Sequence, residues 1–242
     1  MSWQTEHLRL TVFTSVQLER SAIDGLWSTL ANAEPDQVVD QPKLQTSVRV
    51  ANVLLEGRDI SFQLASSPLR LDITWSPGMS TELRFPVIAA DMNSAFPALE
   101  TAASQLFSQV GDVVRVAVGG AFVLNAVTRE NAYEGLAQRL PIEGLSAATC
   151  SDLLYQINRP SHSTVIPQLQ INRLSKWSAV KLSMVSIPGA TVGTAPDLNA
   201  IRVEVDINTS PENQQSLTAQ GTALVSELIA QAIQRVEQGD RQ

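Results

Sequence analysis

The phrase Gln-Ile-Asn-Arg occurs twice in this chain, at residues 156–159 and 170–173. Each copy alternates polar and apolar residues, the pattern of a half-buried β-strand whose side chains point to opposite faces in turn. Tyr155 and Ile157 therefore share one face, and Gln156 and Asn158 share the other. In the second copy Leu169 and Ile171 oppose Gln168, Gln170 and Asn172. Residues 160–164, Pro-Ser-His-Ser-Thr, form a turn signal between them, which predicts a hairpin. A related phrase follows at 202–209, Arg-Val-Glu-Val-Asp-Ile-Asn-Thr. If Ile207 joins Ile157 and Ile171 in the core, then Asn158, Asn172 and Asn208 face the other way, with Gln156, Gln170 and Asp206 beside them. The result is a ladder of amides and a carboxylate across one sheet face. Amides donate and accept without net charge, so such a face suits a peptide, a base edge or a polar ligand. Cross-strand polar pairs also stabilise an exposed sheet face with no further role. Both readings stand at this stage.

Length and charge narrow the choices. A chain of 242 residues is one large domain or two small ones, with ample length for a buried core. Hydrophobic residues make up 44% and charged residues 17%, a globular balance. Against 24 acidic residues stand 17 basic ones, a net charge of −7. That disfavours a general phosphate-backbone binder, which needs a basic footprint, while leaving room for a local basic patch. A single cysteine, Cys150, rules out an internal disulfide and is compatible with a reducing, cytoplasmic setting. The first residues lack the basic and apolar regions of a signal peptide. No apolar run is long enough to span a bilayer: the longest, 113–127, contains Arg115 and Asn125.

Along the chain, the alternation of Leu8, Leu10 and Val12 predicts a strand at 7–14, and Ser15 is placed to cap the next helix. Ile23, Leu26, Trp27 and Leu30 recur at helical spacing. Residues 33–42 read as a loop. A meander of three strands follows, marked by Val48, Val50 and Val53, then Ile60, Phe62 and Leu64, then Leu69, Leu71, Ile73 and Trp75. Residues 76–92 read as an irregular loop or an edge strand. Ser94 precedes a helix with Pro97 in its first turn and Leu99, Ala102, Ala103, Leu106 and Val110 on its apolar side. The β-branched run 113–127 reads as a central strand, with Gly119 and Gly120 marking a bulge or a close backbone approach. Thr128 caps a short helix through Leu140 that buries Tyr133, Leu136 and Ala137. After the hairpin, Val180, Leu182 and Met184 mark another strand, 188–196 a turn-rich connection, and 201–207 the last strand. Ser210, Pro211 and Glu212 have the chemistry of a helix start. Leu217, Leu224, Val225, Leu228, Ala232 and Val236 line that long helix, and Gly239 stops it.

The order of elements repeats. Residues 1–111 read strand, helix, three strands, helix; residues 112–242 read strand, helix, four strands, helix. The expected fold is α+β: a curved, mainly antiparallel sheet from two similar halves that can join into one continuous domain, with long helices packed on one face. This order resembles a duplicated unit of the TATA-binding-protein-like and helix-grip folds, where a curved sheet holds a long helix on one side. The segments Gln-Ile-Asn-Arg-Pro, Asn-Arg-Leu-Ser-Lys-Trp and Asp-Ile-Asn-Thr before a long helix also resemble a sporadically distributed group of uncharacterised bacterial proteins of about this size. That likeness covers the second half best, implies no known activity and carries over no functional residues. Fold likeness alone does not bring function with it.

Chemical motifs are sparse. The two histidines, His7 and His162, lie far apart, no Cys/His pair has metal-ligand spacing, and no Asp-rich loop suggests an all-carboxylate site, so neither metal nor cofactor is expected. There is no Gly-rich loop ending in Gly-Lys-Ser/Thr and no Gly-x-Ser-x-Gly elbow. Cys150 with His162 as its base would make a nucleophile, but a lone cysteine is most simply a small buried hydrophobe. Arg159, Arg173, Lys176 and Lys181 cluster beside Trp177, a combination that can stack bases or anchor a partner. Three functional classes follow. The first is a non-catalytic binding or assembly subunit, docking a protein partner or a second copy through the sheet face or the C-terminal helix. The second is nucleic-acid binding through the hairpin face at 153–181, disfavoured by the net charge. The third is a small-molecule binder or enzyme using Asn172, Asp206 and Asn208. The binding candidates are Gln156, Asn158, Gln170, Asn172, Arg173, Lys176, Trp177, Asp206 and Asn208.

Overall fold

A computed structural model describes residues 2–78, 86–182 and 198–241. The expected 188–196 connection and Met184 lie outside the described residues, as does part of the 76–92 stretch. The first half runs β1 (Gln4–Thr14), α1 (Arg20–Ala31), β2 (Gln37–Gln41), β3 (Thr46–Leu55), β4 (Arg58–Ser67), β5 (Arg70–Pro77) and α2 (Met92–Gln109). The second runs β6 (Val113–Ala126), α3 (Arg129–Arg139), β7 (Leu154–Asn158), β8 (Ser161–His162), β9 (Gln170–Leu182), β10 (Leu198–Thr209) and α4 (Gly221–Gln238). Among the described residues these strands form one open, curved, antiparallel sheet of order β2-β3-β4-β5-β1-β6-β10-β9-β7, with β8 paired to β9. The first strand of each half meets the other at the centre, where Leu10 lies opposite Val118 and Val12 opposite Val116. The fold is therefore α+β, and the two halves share a single sheet.

The four α-helices among the described residues pack on one face. Helix α4 lies on β6, β10 and α2, α3 on β9 and β10, α2 on β1, and α1 on α2, β3 and β4. Their apolar stripes meet the inward side chains of the strands in one core that includes Leu8, Leu10, Phe62, Phe122, Trp177 and Leu228. Glycine decides one of these contacts. A Cβ on Gly221, the first residue of α4, would sit 2.3 Å from the ring of Phe107 on α2. No helix among the described residues is long and apolar enough to cross a membrane.

Several local expectations need correction. Helix α1 begins after Glu19, and Ser15 instead donates its backbone N–H to Asp112. Residues 37–41 are not loop but the edge strand β2, held by pairing with β3. Helix α2 is capped by Asp91, whose carboxylate accepts from the Asn93 amide, so Pro97 sits inside the helix, not in its first turn. Leu69 lies in a turn at φ +60°, before β5. The Ser210–Glu212 turn does not start α4; Ser210 bonds to Glu212 there and the helix begins at Gly221. The expected second hairpin strand and the strand at Val180 are one continuous β9.

The clearest difference is the facing of β3. Val48 and Val50 point away from the core, and Ser47, Arg49 and Ala51 point into it. The tight turn at Glu56 and Gly57, both at positive φ, pairs Leu55 with Arg58 and fixes the register. Ala51 then lies opposite Phe62 and Arg49 opposite Leu64, so the strong alternation of β4 dictates the parity of β3. Buried Arg49 is satisfied by Asp24 of α1, at 2.5 and 3.1 Å, and by Ser47.

Candidate functional site

With all the described helices on one side, none of them covers the other face of the sheet. The strand register arranges its side chains in rows across five strands. One row runs Arg9, Gly119, Asp206, Leu174 and Asn158; the next runs His7, Ala121, Glu204, Lys176 and Gln156. A third carries Thr11, Ala117, Asn208 and Asn172. The central strand β6 contributes only Ala117, Gly119 and Ala121 to these rows. Its small residues leave room for long side chains to cross over it. Arg9 reaches from β1 to Asp206 on β10 at 3.0 Å, and Arg202 reaches back from β10 to Glu6 on β1 at 2.6 and 3.1 Å. A Cβ at Gly119 would stand 3.3 Å from the Arg9 guanidinium and 3.3 Å from the Val205 carbonyl, so the glycine pair marks a close approach. The bulges lie elsewhere, at Glu6 of β1 and near Val114 of β6.

The amide ladder is present as a chain of hydrogen bonds. Asn158 donates to Asn172 at 3.1 Å, Asn172 to Asn208 at 3.4 Å, and Asn208 to Asp206 at 2.7 Å. Arg115 caps the chain by donating to Asn208 at 3.0 Å. Gln156 takes no part in that chain and lines a cleft beside it, and Gln170 sits at the exposed end of β9 opposite His162.

The cleft has a volume of about 380 Å³. Gly119 and Gly120 form its floor, and Arg9, Asp206, Glu204 and Lys176 its charged walls, with Leu174 its apolar side. Lys176 meets Glu204 at 3.4 Å, and Arg202 also bonds to Glu204. Burial raises the Glu204 pKa, but hydrogen bonding and charge from Arg202, with Lys176 beyond, outweigh it and hold the carboxyl below its usual range. His7, at the cleft's β1 end, goes the other way. Burial lowers its pKa, Arg202 and Arg9 add to the fall, and Glu6 and Glu204 oppose it. The imidazole is therefore uncharged at neutral pH. The walls carry two cations and two carboxylates, a balanced field.

Not every candidate residue joins this face. Trp177 follows Lys176 on β9 and so points the opposite way, into the core, where it is fully buried edge-on to Trp3 at 6.0 Å. It offers no surface for stacking a base, which corrects its place among the binding residues. Arg173 also lies on the helix side, donating to the Arg159 carbonyl at 2.7 Å, with burial lowering its pKa. Arg159 grips Asp240 through two bonds of 3.0 Å. The basic cluster read along the sequence is thus divided between two faces. Cys150 meets Thr149 Oγ1 at 3.6 Å, while His162 is held in β8 opposite Gln170. No group of three or more His, Cys, Asp or Glu among the described residues is placed to hold a metal ion.

The residues missed at the sequence level are Arg9, Glu6, His7, Arg202 and Glu204. Their signal was the row of small outward residues in β6, which becomes readable only when its neighbours are known. A second concavity of about 460 Å³, lined by Leu54, Leu55, Phe62, Trp75 and Pro97 among others, lies between α1 and α2 on the helix side. Comparison of the chain with protein-family models and with curated proteins returned no match.

Proposed function

We propose that this protein is a binding or assembly subunit that docks a protein partner on the open face of its sheet. The observation that carries this reading is the facing of that sheet: the side opposite the described helices presents a connected array of amides and half-exposed ion pairs around a polar cleft. Polar side chains that already hold one another in position lose little freedom when a partner arrives. The C-terminal helix is the weaker candidate, because its apolar side is spent on the core through Leu224, Val225, Leu228 and Val236. Nucleic-acid binding loses its motivating cluster, since Trp177 and Arg173 lie on the helix side and Arg159 is tied to Asp240.

The test is a native pull-down from the source cell with nuclease treatment. It compares the wild-type chain with a Gln156→Arg/Asn158→Arg variant on the open face and a Glu237→Lys control on α4; all three positions are exposed. The expected result is a stoichiometric protein that survives nuclease, is retained by the control and is lost from the open-face variant. Capture that disappears with nuclease, or that ignores the open-face changes, refutes the reading.

A further inference from the structure

We infer that the cleft over Gly119 is a recognition point for an extended peptide carrying one basic and one acidic side chain two residues apart. This rests on the docking reading and names the chemistry the partner brings. Four observations lead there. First, the cleft walls are charged but balanced, with Arg9 and Lys176 against Asp206 and Glu204. A singly charged ligand would meet as much repulsion as attraction, whereas a dipolar one can satisfy both signs.

Second, the two ion pairs facing the cleft are open to exchange. The side chains of Arg9 and Asp206 are 38% and 32% exposed, and those of Lys176 and Glu204 are 39% and 36% exposed. Pairs in such settings contribute little net stability, so re-pairing with a ligand costs the fold little. Arg9 is only half used: one Nη bonds to Asp206, and its Nε has no acceptor among the described residues. That Nε is itself buried, so a ligand carboxylate would meet the exposed part of the guanidinium and make a charge-assisted bond there.

Third, the spacing fits. Asp206 lies two residues from Glu204 on one strand, and Lys176 lies opposite Glu204, so an acid and a base stand in neighbouring rows of one face at a repeat of about 6.5–7 Å. An extended peptide lying along β9 and β10 presents its own side chains i and i+2 at that same repeat. Fourth, the surroundings supply what a peptide backbone and stem need. Gln156 offers an amide donor and acceptor at one wall, Leu174 gives apolar contact for an aliphatic stem, and the Arg9 guanidinium, crossing over Gly119, lines the cleft.

The experiment uses capped tripeptides and the isotope-labelled full chain in NMR titrations. The dipolar probe is acetyl-Lys-Gly-Glu-amide, and the singly charged controls are acetyl-Lys-Gly-Gln-amide and acetyl-Gln-Gly-Glu-amide. The expected result is saturable shifts at the Gly119, Gly120, Val205 and Asp206 amides with about millimolar affinity for the dipolar probe. Each control should bind about two- to fivefold more weakly, the worth of one exposed charge contact. A Lys176→Gln/Glu204→Gln variant, whose spectrum first verifies the fold, should lose the response. Equal shifts from all three peptides, shifts confined to other residues, or no shift overturn the inference. Tighter binding of free lysine than of the capped peptide also overturns it, because the ligand would then be a free zwitterion. Failure of the docking reading is separately visible: the tripeptide response does not depend on what the pull-down captures. A captured partner whose footprint spares Gly119 and Lys176 would keep docking and sink this inference alone.

Discussion

Asp240 clasps the edge strand β7 to α4, and Asp240→Ala measures what that clasp contributes. Its carboxylate accepts two bonds from Arg159 at 3.0 Å, one from Arg235 at 2.8 Å and one from the Tyr155 hydroxyl. Arg159 and Tyr155 secure the edge strand β7 that carries Gln156, and Arg235 belongs to α4. Asp240 and Arg235 are both buried, with side chains 0% and 5% exposed. Removing the acid leaves the Arg235 guanidinium buried without its counter-charge, a change that costs about 3–5 kcal/mol. For a chain of this size each kcal/mol lowers Tm by about 2–4 °C, so the melt should fall by about 6–20 °C. Arg159→Ala is the control: Arg159 is half-exposed, and Asp240 keeps Arg235 and Tyr155, so the loss should be only about 1–2 kcal/mol. The pH dependence has a definite sign. Burial raises the Asp240 pKa, but the Arg159 and Tyr155 hydrogen bonds and the Arg159 and Arg235 charges overcome it and leave it lowered. Its contribution is therefore complete above the unfolded value of about 3.9 and disappears as pH falls through the lower folded pKa. Denaturant melts of the two proteins should differ fully at pH 7 and converge below about pH 4. A variant within about 2 °C of the wild type at pH 7, less than one kcal/mol, refutes the account of Asp240 as the clasp.

Two further outcomes follow from the packing. Trp177→Ala should destabilise by about 3–5 kcal/mol in urea denaturation while leaving partner capture per folded molecule unchanged, because the ring belongs to the core and not to the open face. Glu227 of α4 accepts from Ser163 at 2.5 Å and from the Thr164 amide at 2.6 Å, pinning the loop before β9. Glu227→Gln should raise hydrogen exchange at the Thr164 and Val165 amides about tenfold or more, the worth of a charge-assisted bond, with little change in the deep strands.

Much of the architecture was legible because alternation is a local property. Ile157, Ile171 and Ile207 alternate with Asn158, Asn172 and Asn208, so any sheet that turns the isoleucines to the core turns the asparagines to its other face, and the hydrogen-bonded ladder follows from that parity. Parity also held the answer for Trp177. Once β9 is one strand, residues 171, 173, 175 and 177 share a face, which sends Arg173 and Trp177 to the helix side and Lys176 to the other. Reading a break in the middle of that strand concealed it.

Other features had no local signal. Val48 and Val50 look like core residues, yet the turn at Glu56 and Gly57 and the alternation of β4 set their direction from outside the strand. Helix starts failed for a similar reason: Ser15 and Ser210 have the chemistry of caps, but tertiary contacts claim the backbone around them. The cleft was wholly hidden, since Arg9 and Asp206 are far apart in the chain and meet only because β1 and β10 flank β6. The sequence by itself determined most of the strands and the composition of the polar face on β7, β9 and β10, because those depend on residues two apart. Only the tertiary structure decided which charges face one another across the small residues of β6, because that depends on the order in which strands from the two halves pair.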